Sequence, residues 1–269
     1  MRIAFLFLVL NCQVLFGQSI TGVVLNSKTK LPVEFVNIGV PGKGIGTVSD
    51  EHGRFTLSLD PQFSDNSLLF SCIGYMPFSI KIPDLISADK QEIFLQEKVY
   101  QLDGVTVSPK YFKQRTLGVT AHAKNFSAGF KNNLLGYECG ILMKVKKTAV
   151  IKRVNINFSG CTYDSIFYRL NIYKVAGKMN FENILKTPIY LNLSGKNAVE
   201  GIHIDLQPYK IVVDGDFLIT LEHVKDLGPG YLYFCVGLAD KTYYRRTSQG
   251  SWETVPIGVS ISVDADVER

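Results

Sequence analysis

Tryptophan is almost missing from this 269-residue chain, which has one, and methionine and histidine are scarce at four each. The histidines, His52, His122, His203 and His223, stand in no HExxH or HxxE spacing, so a zinc peptidase has no ligand set. No GxSxG elbow marks a serine hydrolase. Gly42, Gly44 and Gly46 fall between strands, without the following helix whose dipole makes a phosphate site of a glycine-rich loop. The cysteines form no CxxC pair and no Cys/His zinc spacing. Neither the apolar run Ile3–Leu10 nor any later one is long enough to cross a bilayer. Charged residues make up only 20% of the chain. The basic ones are dispersed apart from Lys144–Lys147 with Lys152 and Arg153, and Arg245 with Arg246, which is no nucleic-acid footprint. These absences leave no enzyme template and no expected cofactor.

What is present points to strands. Apolar residues reach 46%, and 17 Phe and 13 Tyr give the aromatic enrichment that suits pleated sheets. Residues 1–18 read as a secretory signal: Arg2 supplies the positive start, Ile3 to Leu10 the apolar core, and Phe16-Gly17-Gln18 a small residue for cleavage. Cys12 is not preceded by the small residue that a lipidated cysteine needs. Losing Arg2 takes the 29 basic residues to 28 against 24 acidic ones, a net +4. The mature protein is then expected without a transmembrane segment, either periplasmic or attached to the outer membrane. Export permits disulfides, and Cys139–Cys161 is the most plausible bridge among the four remaining cysteines.

In chain order, Ile20–Asn26, Phe35–Val40, the strand–turn–strand stretch Gly46–Leu57, Ser67–Cys72, Phe78–Ile82 and Glu92–Leu95 read as strands, with a helical turn expected over Asp84 to Lys90. Asp50 and Gly53 have the chemistry of a tight hairpin joining the two strands of Gly46–Leu57: an acceptor for amides two residues on, and a residue free to take φ > 0. Seven short strands in about 80 residues predict a small antiparallel sandwich.

Five blocks stand in order: Ile20-Thr-Gly-Val-Val24, Leu31-Pro-Val-Glu-Phe-Val-Asn-Ile38, Gly46-Thr-Val-Ser-Asp50, Gly53-Arg-Phe55 and Ile73-Gly-Tyr75. Together they resemble the carboxypeptidase-regulatory-like domain, a transthyretin-like, Ig-like β-sandwich, over about residues 19–97. The resemblance implies an accessory domain with no catalytic residues of its own. It also implies a setting, since such domains precede TonB-dependent outer-membrane receptors and occur in stand-alone exported bacterial proteins. Leu102-Asp-Gly-Val-Thr-Val107 resembles the strand that follows the domain in those receptors and pairs with the energy-coupling protein; an interdomain strand ending at Pro109 is the other reading. About 160 residues follow, whereas a plug and barrel take several hundred at about ten residues per strand plus loops. The chain is therefore not expected to be a receptor itself.

Residues 99–135 read as that extended strand and a polar linker, and residues 136–269 as a second domain. There Gly140–Val145, Val154–Phe158, Phe167–Tyr173, Ile189–Leu193, Ile202–Leu206, Phe217–Leu221, Tyr231–Gly237 and Gly258–Val263 each carry one apolar face. Only Asn180–Leu185 hints at a helical turn. The expected fold is all-β: the small sandwich followed by a larger one of jelly-roll type.

Two clusters carry possible chemistry. Tyr243, Tyr244, Arg245, Arg246 and Trp252 flank one loop, and aromatic rings beside cationic donors can stack on a sugar and grip its hydroxyls. The alternative is that these rings pack the sandwich edge; Tyr163 and Tyr168 are weaker candidates of the same kind. Asp214 and Asp216 around Gly215 have the oxygens for calcium, but a hairpin turn uses the same residues. The expected function is a non-catalytic binding or assembly module of the periplasm or outer membrane. The alternatives are a carbohydrate-binding second sandwich and an accessory of TonB-linked uptake, with a glycan or an envelope protein as partner.

Overall fold

A computed structural model describes residues 18–88, 91–100, 111–238 and 240–269. The segment Leu102–Val107 and the expected signal up to residue 17 lie outside the described residues.

Strands β1 (Gln18–Asn26), β2 (Asn37–Gly39), β3 (Gly46–Val48), β4 (Arg54–Leu59), β5 (Ser67–Ser71), β6 (Phe78–Lys81) and β7 (Glu92–Leu95) build the first domain. One sheet has the order β4-β1-β7 and the other β3-β2-β5-β6. All of these pairings are antiparallel except β1 with β7. The alternation works as expected in β4, where Phe55, Leu57 and Leu59 point inward and Arg54, Thr56 and Ser58 outward. They meet Ile38, Leu68 and Phe70 from the other sheet, and α1 (Ile82–Ser87) closes the core with Ile82 and Leu85.

The turn at Asp50 has the predicted chemistry. Its Oδ1 accepts from the amides of His52 and Arg54, both at 2.8 Å, and Gly53 has φ +71°. Its role differs from a hairpin, because β3 and β4 belong to different sheets. The turn is a corner that carries the chain from one layer to the other.

The second domain comprises β8 (Phe112–Gly118), β9 (Ser127–Lys131), β10 (Glu138–Met143), β11 (Thr148–Ile156), β12 (Phe158–Cys161), β13 (Ser165–Gly177), β14 (Asn180–Asn183), β15 (Ile189–Ser194), β16 (Ile202–Asp205), β17 (Val212–Asp214), β18 (Phe217–His223), β19 (Tyr231–Gly237), β20 (Thr242–Arg245), β21 (Glu253–Val255), β22 (Gly258–Val259) and β23 (Ile261–Glu268), with a one-turn helix α2 (Gly195–Ala198). The order β14-β13-β18-β10-β20-β21, with β15 also on β13, forms one layer. Facing it are β16-β11-β23-β8, with β17 on β11, and β12-β19-β22, with β9 on β19. Ile141, Met143, Leu170, Ile172, Ile219 and Leu221 of the first layer join Ile151, Val154, Val263, Phe158 and Phe234 in one core.

Two expectations are corrected. Residues 110–135 are not all linker: β8 pairs along β23 from Phe112 to Gly118, and β9 pairs along β19. Every residue of β8 except the half-buried Leu117 is exposed, so the strand carries no alternating signal for the eye to find. Asn180–Leu185 begins as strand β14, paired antiparallel with β13, because the long β13 extends past its other partners and needs a neighbour for its end. Sandwich architecture in both domains is as expected.

Candidate functional site

Strand alternation buries one face of β13 in the second core and leaves Phe167, Arg169, Asn171 and Tyr173 on the other. Register then assembles a polar surface. Glu222 of β18 lies opposite both Arg169 and Glu138, Glu138 of β10 lies opposite Arg245 of β20, and Thr220 lies opposite Asn171. A solvated outer face would be ordinary here. Instead Glu138 and Glu222 are 0% exposed, Arg169 2% and Arg245 9%.

The first domain covers them. Phe35, held in the left-handed region at φ 49°, inserts its ring beside Phe167 and Tyr190 at centroid distances of 5.0 and 5.4 Å. Val48 and Val224 complete this small apolar plug. The Phe35 carbonyl accepts from Arg169 Nη1 at 2.7 Å, and Asn37 accepts from Arg169 Nη2 while donating to Glu222 Oε1 at 2.8 Å. Around the rim Lys225 pairs with Glu51 at 2.7 Å, and Gln249 Nε2 donates to Ser71 at 2.8 Å. Gly39 and Gly46 permit the close approach: a methyl on Gly39 would lie 2.5 Å from the Ser248 carbonyl oxygen, and one on Gly46 closer still.

Each charge in this joint is compensated. Arg169 reaches Glu222 Oε2 with Nε at 3.1 Å and Nη2 at 2.8 Å. Arg245 reaches Glu138 Oε2 with Nε at 2.7 Å and Nη2 at 2.6 Å. Asn171 donates to both carboxylates, at 2.9 Å to Glu138 and 2.7 Å to Glu222, and Tyr173 and Thr220 donate to Glu138. Burial pushes the Glu222 carboxyl up, but the charges of Arg169 and Arg245 outweigh it and hold the group below the ordinary carboxylate range. Glu138 goes the other way: burial raises it and the charge of Glu222 opposes its ionisation, against the pull of Arg245. Burial also keeps the Tyr173 phenol protonated, so it can donate. Such a network is costly to break once formed, by about 3–5 kcal/mol for an orphaned buried charge.

A cleft of about 390 Å³ opens beside the joint, with Arg169, Arg245 and Tyr173 at its base and Tyr100, Phe181 and Gln249 among its walls. The ammonium groups of Lys98 and Lys186 sit 5.3 and 5.7 Å from the Tyr100 ring. Among the described residues, no histidine lines the cleft.

The expected ligand residues divide here. Tyr243 and Trp252 both pack edge-on to Phe181, at 5.7 and 5.3 Å, and Trp252 also meets Tyr173 at 5.8 Å. Arg245 lies 5.1 Å from the Trp252 ring, with its charge committed to Glu138. Tyr244 and Arg246 face away and share Glu253, at 2.8 and 3.2 Å. Tyr163 and Tyr168 are buried in the second core.

The other candidates separate. Asp216 accepts from the Val145 amide at 2.8 Å, Asp214 ends a strand, and among the described residues no group of three or more His, Cys, Asp or Glu could hold a metal ion. The two aspartates flank the bend between β17 and β18. Cys139 and Cys161 are free thiols: Cys139 points into the core from β10, whereas Cys161 lies on β12 in another sheet, its Sγ 3.6 Å from the Tyr163 carbonyl. His203 is exposed beside Asn155, and His223 is buried against Tyr168.

Arg169, Glu138, Glu222, Asn171, Tyr173 and Asn37 are absent from the sequence-based candidates. The signal the sequence carries is a charge at the end of an otherwise largely apolar strand, at Glu138 before Cys-Gly-Ile-Leu-Met and at Glu222 after Phe-Leu-Ile-Thr-Leu.

With this geometry in hand, the chain can be set beside known proteins. Residues 20–107 match the family model described as CarboxypepD_reg-like domain, so the first sandwich is of that class. Domains of this description are regulatory and non-catalytic, and the match runs through Leu102–Val107. No curated protein matches the chain. Among solved structures, the infectious bursal disease virus Gx strain aligns at 13% identity and TM-score 0.22, over 93% of this chain and 65% of that one. The D431N mutant VP2 protein of the same virus aligns at 10% identity and TM-score 0.18, over 93% of this chain and 62% of its own. The chain thus spans just under two thirds of those viral chains, and scores of that size establish no shared fold.

Proposed function

We propose that this protein is an exported, non-catalytic binding or assembly module of the bacterial periplasm or outer membrane, in which two sandwiches act as one rigid body. The observation that carries this reading is the buried joint. The Phe35 carbonyl and the Asn37 amide of the first domain bond directly to the buried Arg169–Glu222 pair of the second, contacts that are lost if the domains part. An accessory domain fixed in this way contributes walls to the interdomain cleft rather than swinging on a tether. Ligand sites occur preferentially at such domain interfaces. The test is to incubate the purified protein with peptides and glycans. No turnover is expected; hydrolysis abolished by a point mutation would overturn the reading.

A second reading, carbohydrate binding, is favoured by the Phe181–Trp252–Tyr173 cluster beside the cleft. Glycan arrays of wild type against Trp252→Ala decide it, since equal profiles remove the aromatic face from any role.

A further inference from the structure

A second concavity, away from the domain joint, has a different character. It lies at one open end of the second sandwich, where β8, the turn joining β10 to β11 and the last strand β23 meet, and its volume is about 510 Å³. Its floor is apolar: Val145 and Val267 are buried and Leu117 is half-buried, all three packing on the second core. Its rim is cationic, formed by Arg115, Lys144, Lys146, Lys147 and Arg269. The side-chain carboxylates in the lining are those of Asp216 and Glu268. Asp216 spends an oxygen on the Val145 amide at 2.8 Å, which fixes the lysine turn in place. Lys147 donates to a main-chain oxygen of Arg269. Among the described residues Arg115, Lys144 and Lys146 form no ion pair, although all three are exposed.

An apolar strip walled by uncompensated cations suits one kind of occupant. Water solvates the lysines well but gains nothing from the floor, and a neutral apolar molecule leaves the cations unused. A molecule with an anionic head and an alkyl tail satisfies both. We propose that this groove binds a single anionic amphiphile, its tail along Leu117, Val145 and Val267 and its phosphate or carboxylate between Lys144, Lys146 and Arg115. The three lysines come from one turn whose register is set by strands on both sides, so the cations are presented together rather than scattered.

The test is calorimetric titration of the purified protein with n-decyl phosphate, n-octyl phosphate and inorganic phosphate, each below its micellar range. Saturable one-to-one binding of decyl phosphate is expected. Two fewer methylenes should weaken it roughly fifteenfold, at about fourfold per buried methylene. Lys144→Glu with Lys146→Glu should weaken decyl phosphate at least tenfold, and inorganic phosphate should not bind. Both substitutions are on exposed side chains, and Leu117→Ser provides a second variant that removes floor rather than charge. Equal affinity for the two chain lengths, equal affinity in both variants, or no saturable binding would overturn the proposal. So would binding to phosphatidylglycerol vesicles without binding to monomeric decyl phosphate, which would make the patch a membrane-surface contact.

Discussion

Arg169→Met is the most informative single change at the joint. It keeps a side chain of similar length but removes the guanidinium that makes two bonds to Glu222, one to Asn37 and one to the Phe35 carbonyl. Glu222 is then fully buried with the neutral amides of Asn37 and Asn171 still donating to it, and the cation left near it is Arg245, at 3.8 Å and already committed to Glu138. Folding must either bury that charge or protonate it. Protonating a carboxyl of ordinary pKa near 4.3 at pH 7 costs about 3.7 kcal/mol, at about 1.36 kcal/mol per unit. That figure agrees with the roughly 3–5 kcal/mol seen when one partner of a buried pair is removed. The pH dependence follows with a definite sign. In the wild type the folded pKa of Glu222 is depressed, so its stabilisation is complete above the unfolded value and is lost as the pH falls through the folded one. In the variant the folded pKa lies above the unfolded value, so the penalty is absent in acid and grows as the pH rises. The gap between the two proteins should therefore widen by up to about 1.4 kcal/mol per pH unit from pH 5 to 7. Urea unfolding at both pH values measures it, and adding Glu222→Gln should recover most of the loss. A gap under 1 kcal/mol at pH 7, or the same gap at both pH values, would refute the reasoning.

Three further outcomes are expected. Gly46→Ala drives a methyl into the Ser248 carbonyl and should lower stability by about 1–3 kcal/mol on overpacking grounds; an unchanged urea midpoint would show that the 247–251 loop yields freely. Burial pushes the His223 imidazole down to about 4, so the unfolded chain takes up a proton near pH 6.5 that the fold refuses. Stability should fall by up to about 3 kcal/mol as the pH drops through that window, and His223→Phe, which keeps the ring stack on Tyr168, should flatten the profile; an unaltered slope would assign it to other groups. Protein spanning residues 19–269 should release four thiols in denaturant, from Cys72, Cys139, Cys161 and Cys235, whereas two, with labelling confined to Cys72 and Cys235, would restore the Cys139–Cys161 bridge. In the native state Cys72, whose thiol burial pushes up to about 11, should label slowly at pH 8.

The strands of both sandwiches were legible because apolar side chains alternate in β4, β11 and β13, and a core on one side is all that such alternation needs. The joint was not legible for the same reason. Arg169, Asn171 and Tyr173 alternate with Leu170 and Ile172 in the pattern that a solvated face would show, and nothing local says that another domain lies on top. The aromatic-basic loop drew attention to Arg245, but its role as the counter-ion of Glu138 depends on a strand pairing across 107 positions. Strand β8 left no trace because both its faces are largely exposed.

The joint also sets a timetable. Asn37 and Glu222 are 185 positions apart, and Phe35 and Arg169 are 134 apart. A chain made from its N-terminus completes the first sandwich long before β18 and β20 exist. For that interval the Phe35 ring and the Asn37 amide stand in solvent, on a domain that is folded but has nothing to dock against. Contacts of such long range form late and slowly. The protein therefore passes through a stage at which its first domain is finished and adhesive, and whatever escorts the nascent chain must shield that one patch until the final strands arrive.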